Sequence, residues 1–95
     1  MDDFLKLKLL KQDLQMLSDS SDEYLSSLLS LSKMEMEREG IKFGNDDEAD
    51  GLNIQYAAYL FRKRAGNETG MPRYLRFALN NLILHQRGKE NGGTI

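Results

Sequence analysis

Four stretches of this chain repeat apolar residues at intervals of three and four, and polar or glycine-bearing segments separate them. Leu7, Leu10, Leu14 and Leu17 hold that spacing in the first stretch, with Phe4, Leu5 and Leu9 widening the apolar face. Tyr24, Leu25, Leu28, Leu29, Ser32 and Met36 hold it in the second, Leu52, Tyr56, Tyr59 and Leu60 in the third, and Leu75, Ala78, Leu79, Leu82, Ile83 and Gln86 in the fourth. A period near about 3.6 residues stacks such side chains on one side of an α-helix, whereas a half-buried strand needs alternation. One proline and the scarcity of alternating runs leave little room for a sheet. The fold class read from the pattern is all-α: a small bundle of about four helices.

The breaks between stretches carry end signals. Ser20 with Glu23 three residues later matches a capping box, so the second helix is expected to start there and run to about Glu39. Gly40 can turn left-handed without a Cβ penalty, and Ile41 just beyond it supplies the apolar contact of a Schellman ending. The first helix is read over 4–17, ending at Ser18-Asp19-Ser20-Ser21. Asp46, Asp47, Glu48 and Asp50 suit the positive end of a third helix over 47–65, and Arg62, Lys63 and Arg64 suit its negative end. Pro72 after Met71 is read as the first residue of the fourth helix, where its missing N–H costs nothing. The chain is expected to form one helical domain over 1–86 and a flexible, glycine-rich tail over 87–95.

Ninety-five residues bury only roughly two-thirds of their unfolded surface. With no cysteine there is no disulfide framework and no thiol nucleophile. No apolar run approaches the roughly 20 residues of a membrane span, and the acidic opening Met1-Asp2-Asp3 is unlike a signal peptide. Charge is uneven: residues 1–61 hold 6 basic and 13 acidic side chains, residues 62–95 hold 7 basic and 2 acidic. Either the halves neutralise one another, within or between subunits, or the basic third faces a negative partner.

Chemistry-bearing patterns are sparse. Asp46, Glu48, Asp50 and Gly51 mimic the opening of an EF-hand, but the twelfth position is Ala57 where calcium needs a bidentate glutamate. An acidic helix start is the better reading. His85 is the only histidine and no nucleophile is paired with it in the sequence. Glu35, Glu37 and Glu39 alternate along a helix and so do not face one another. No catalytic set, cofactor motif or metal motif is read, and the chain is expected to be a structural protein rather than an enzyme. Tyr59, Phe61, Tyr74 and Phe77 interleave with Arg62, Lys63, Arg64, Arg73 and Arg76, but they fall on or near the apolar stripes, and core packing is the reading given to them. Leu31, Met34, Ile54, Phe61 and Leu84 fall off those stripes and are read as a subunit interface; a broad stripe in a compact bundle is the alternative.

From Asp22 to Gly88 the chain resembles the head–tail connector (adaptor, head-completion) proteins of tailed phages. The resemblance lies in DEYLSSLLSLSKMEMEREGI, then LNIQYAAYLFRKR, then MPRYLRFALNNLILHQRG, in that order and spacing. It implies an α-helical subunit in a ring, usually twelve-fold, beneath the portal vertex. Such a ring extends the channel for non-specific DNA passage during packaging and offers a seat to a tail-side stopper or head-closure protein. The implied location is the neck of the virion, after assembly in the bacterial host cytoplasm. Connector tails often insert between portal subunits, which makes Arg87, Lys89, Glu90 and Ile95 the expected portal contacts. Arg62, Lys63, Arg64, Arg73 and Arg76 are the expected channel or interface charges. A small helical DNA-binding regulator and a generic helical interaction module are the alternative functions; a helix-turn-helix needs a turn of about three or four residues, and the expected linker from Gly66 to Met71 is longer.

Overall fold

The computed structural model describes residues 1–44, 46–66 and 70–91, with side chains through Gly88. Four helices follow one another: α1 (Asp3–Asp13), α2 (Asp22–Arg38), α3 (Asp47–Arg64) and α4 (Arg73–Asn91). The all-α reading therefore holds, and no strand occurs among the described residues.

Helix α3 is the centre of the molecule. Its Leu52, Tyr56 and Tyr59 pack with Met36, Ile41 and Phe43 and with Leu75, Leu79 and Leu82 of α4. On another side, Ile54, Ala57 and Ala58 pack with Leu10 of α1 and Leu25, Leu28 and Leu29 of α2. The small side chains at Ala57 and Ala58 let α1 and α2 approach the α3 backbone. With α1 and α2 on one side of α3 and α4 on the other, the molecule measures 50 × 29 × 19 Å. Its radius of gyration of 14.2 Å exceeds the about 12 Å of a rounder chain of this length.

The ends are set by local chemistry. Asp46 caps α3, its carboxylate accepting from the Glu48 and Ala49 amides at 3.0 and 3.1 Å. At the end of α2 the Gly40 amide donates to Glu37 at 3.0 Å and the Ile41 amide to Met36 at 3.1 Å, with Gly40 at φ +104°. That is the expected Schellman ending, and Ile41 and Met36 share the core.

Four boundaries differ from the sequence reading. Helix α1 stops at Asp13, not at 17, because Gln15 takes φ +58° and the Met16 amide closes back on the Lys11 carbonyl at 2.8 Å. This is the same ending built on a glutamine, which no glycine announces. Helix α2 is capped at Ser21 rather than Ser20, without a side-chain bond; Ser20 instead donates its amide to the Ser18 hydroxyl at 3.1 Å. Helix α4 begins at Arg73, with the Pro72 carbonyl accepting from Leu75 and Arg76, and it extends to Asn91, beyond the boundary at 86. Residues 92–95 of the expected tail lie outside the described residues.

Candidate functional site: an exposed apolar ridge on α4

Helix α4 buries Leu75, Leu79 and Leu82 completely, and Ala78 and Ile83 pack beside them. Turning the helix about half a revolution brings up a second row. Tyr74 is 60 % exposed, Phe77 59 % and Leu84 63 %. A helix has two sides, and apolar spacing alone does not say which one meets the core. Tyr74 and Phe77, read from sequence as core, are corrected by the structure: the leucines fill the contact with α3 and leave the aromatic rings outside.

Arg73 and Arg87 flank this ridge, with Asn80 between them, all exposed. The only histidine, His85, is exposed on the same helix. Among the described residues neither Arg73 nor Arg87 makes an ion pair, in contrast to Arg62 and Arg76. Arg76 grips Glu39 through two bonds of 2.7 and 3.3 Å, and these hydrogen bonds push its guanidinium pKa up further. It fastens α4 to the end of α2. Arg62 pairs with Asp13 at 3.2 Å. Lys63 lies over the Tyr59 ring at 5.9 Å and Arg64 over the Tyr24 ring at 5.8 Å. Among the described residues, Arg73 is the one of the five charges expected to face a channel or an interface that makes no such contact.

The expected interface residues separate in the same way. Leu31 (43 % exposed) and Met34 (50 %) lie on the outer side of α2, and Leu84 on α4. Ile54 does not belong with them: it is 8 % exposed, packed into the α1–α2–α3 cluster, because α3 buries two sides where the sequence reading allowed it one. Phe61 is half-buried, its ring 6.2 Å from that of Tyr24. Of the expected portal contacts, Arg87 sits exposed on α4, while the side chains of Lys89 and Glu90 and the whole of Ile95 lie outside the described residues.

A second polar feature was invisible in the sequence. Lys6, Ser32, Asp50 and Asn53 are buried together where α1, α2 and α3 meet. The Lys6 ammonium donates to Asn53 Oδ1 at 2.8 Å and pairs with Asp50 at 3.1 Å. The Asn53 amide donates to the Ser32 hydroxyl at 2.6 Å and to the Leu29 carbonyl at 3.0 Å. The amino group of Met1 reaches Asp50 at 3.3 Å. A buried charge needs such partners, and these three helices supply them, so the cluster fixes how α1 seats. Asp50 is thereby committed to Lys6 and Asp46 to the α3 cap, as the acidic-helix-start reading of that loop expects. Among the described residues no group of three or more His, Asp and Glu side chains could hold a metal ion. No helix there is long and apolar enough to cross a membrane.

Compared with known proteins, the chain matches no protein-family model, no curated protein and no solved structure.

Proposed function

We propose that the protein is a structural subunit of the head–tail connector type, assembling with copies of itself into a ring beneath the portal vertex of a tailed phage. The observation that carries the reading is the ridge of Tyr74, Phe77 and Leu84. Three large apolar side chains, each more than half exposed on one helix face, cost solvation in a lone subunit and are covered when another protein packs there. The stretch that resembles connectors spans α2, α3 and α4 as far as Gly88, so it includes this ridge and the α2 side bearing Leu31 and Met34. Two separate sticky faces on one subunit suit head-to-tail contacts, which close into rings when the rotation allows. In this reading the portal lies on one side of the ring, a tail-side stopper on the other, and DNA passes through without being read.

One observation favours a second reading. The outward side of α4 also presents Arg73, Asn80, Asn81 and Arg87, residue types that contact phosphates and base edges. A DNA-binding regulator would use them. The two readings part on two measurements. Native mass spectrometry of the chain mixed with purified portal rings is expected to show many copies per portal ring, and DNA affinity is expected to be sequence-blind and to fall steeply with salt. One or two copies per portal ring would overturn the connector reading. A footprint on a defined sequence that persists at physiological salt would establish the regulator.

A further inference from the structure

The ridge on α4 has a counterpart on α2. Along α4, Arg73, Phe77, Asn80, Leu84 and Arg87 are all exposed and follow one another at steps of four, three, four and three. Along α2, Glu23, Ser27, Ser30, Met34 and Glu37 are all exposed and follow the same steps. In each row the outer pair stands 14 residues apart, about 21 Å along a helix axis. The α4 row has an arginine at each end; the α2 row has a glutamate at each end. Between the ends, α4 carries large apolar side chains at Phe77 and Leu84, whereas α2 carries the small Ser27 and Ser30 beside Met34, with Leu31 on the shoulder. Among the described residues none of the four end charges has an ion-pair partner within the chain, although Lys11, Arg38, Arg62 and Arg76 all do.

We infer that the α4 row of one subunit docks on the α2 row of a second copy of the same chain. The occupant follows from charge and shape together. A partner for α4 must offer two acids at about 21 Å, with a small side chain to admit one of Phe77 and Leu84 and an apolar one to meet the other, and this chain itself displays such a row in Glu23, Ser27, Ser30, Met34 and Glu37. Because the rows are on different helices, a subunit can give α4 to one neighbour and α2 to another, a heterologous contact that continues from copy to copy. One helix laid on another falls short of the roughly 1,200 Å² that a stable interface buries. Free subunits therefore associate weakly, and ring closure or a templating surface holds them. This inference rests on the self-assembly reading above and supplies its contact.

The absence of cysteine from the chain makes the test direct. Ser30 and Asn80 are the middle residues of their rows, so they meet whichever way the helices run. Under mild oxidation, a chain carrying both Ser30→Cys and Asn80→Cys is expected to give a ladder of linked species. Either single variant is expected to stay unlinked, and the two singles mixed are expected to give a linked dimer. Adding Arg73→Glu and Arg87→Glu to the double-cysteine chain should abolish the ladder, and further adding Glu23→Lys and Glu37→Lys should restore it. All of these positions are exposed, and circular dichroism of each variant is the check that it is folded. No linkage in the double-cysteine chain, or equally efficient linkage in one single variant, overturns the inference. If that happens while the unaltered chain still loads many copies onto a portal ring, the docking pair is wrong and the connector reading stands. If the unaltered chain loads singly, the connector reading itself has failed.

Discussion

Replacing Asp50 by alanine tests the buried cluster that seats α1. Lys6 and Asp50 are each only 4 % exposed, so the solvent screening that weakens surface pairs is absent. Among the described residues, Asp50→Ala leaves the buried Lys6 ammonium with Asn53 Oδ1 as its remaining polar partner. Breaking one side of a buried pair costs about 3–5 kcal/mol, out of a total of about 5–15 kcal/mol for a domain of this size. At about 4–8 °C per kcal/mol, the thermal midpoint should fall by at least about 12 °C. Lys6→Met should also destabilise, but less, since the Met1 amino group still faces Asp50 at 3.3 Å. The double variant Lys6→Met/Asp50→Ala strands neither charge, so its loss should fall well short of the sum of the two single losses. Urea melts followed by far-ultraviolet circular dichroism give all four corners of the cycle. Hydrogen exchange should show α1 deprotected in Asp50→Ala while α4 stays protected. A loss below about 1 kcal/mol for Asp50→Ala, or strict additivity in the double variant, would refute the claim that this pair is buried and coupled.

Three further outcomes are expected. Leu79, wholly buried between α3 and α4, should cost about 2–5 kcal/mol on truncation to alanine; an unchanged thermal midpoint would mean the wrong side of α4 faces the core. Gln15→Gly should stabilise by about 1 kcal/mol, because a left-handed backbone strains any residue with a Cβ; a lower midpoint in the variant would show that the glutamine side chain does more than occupy the turn. Burial first, and then the negative charges of Glu35 and Glu39, hold the Tyr56 hydroxyl above its ordinary value of 10.0. Its contribution to stability is complete below pH about 10 and is lost as pH rises through the raised folded value. A tyrosinate absorbance titration should find one ring ionising late, and Tyr56→Phe should remove that late component; an identical titration in the variant would place the shift elsewhere.

Features that a single local rule decides were legible in the sequence. Gly40-Ile41 after a run of helix formers marked the end of α2, the acids from Asp46 onward marked the start of α3, and the leucine spacing marked one apolar side of α4. What escaped depends on partners far apart in the chain. Lys6, Asp50 and Asn53 are polar, and nothing local says that three helices will close over them. Ile54 with Ala57 and Ala58 formed a second buried side only because α3 lies between two layers. The end of α1 rests on Gln15, a residue that seldom turns left-handed, so its signal was absent. At the candidate site, Leu31, Met34 and Leu84 were found because they broke a stripe. Tyr74 and Phe77 were missed because a helix with two apolar sides offers no local clue to which one is inside.

The proposed role is that of a multi-copy structural ring subunit. Quantitative mass spectrometry of purified phage particles that encode the chain tests it most directly, by counting its copies against those of the portal protein. A ring subunit is expected in the particle in near one-to-one ratio with portal subunits. One or two copies per portal ring, or none in the particle, would contradict it.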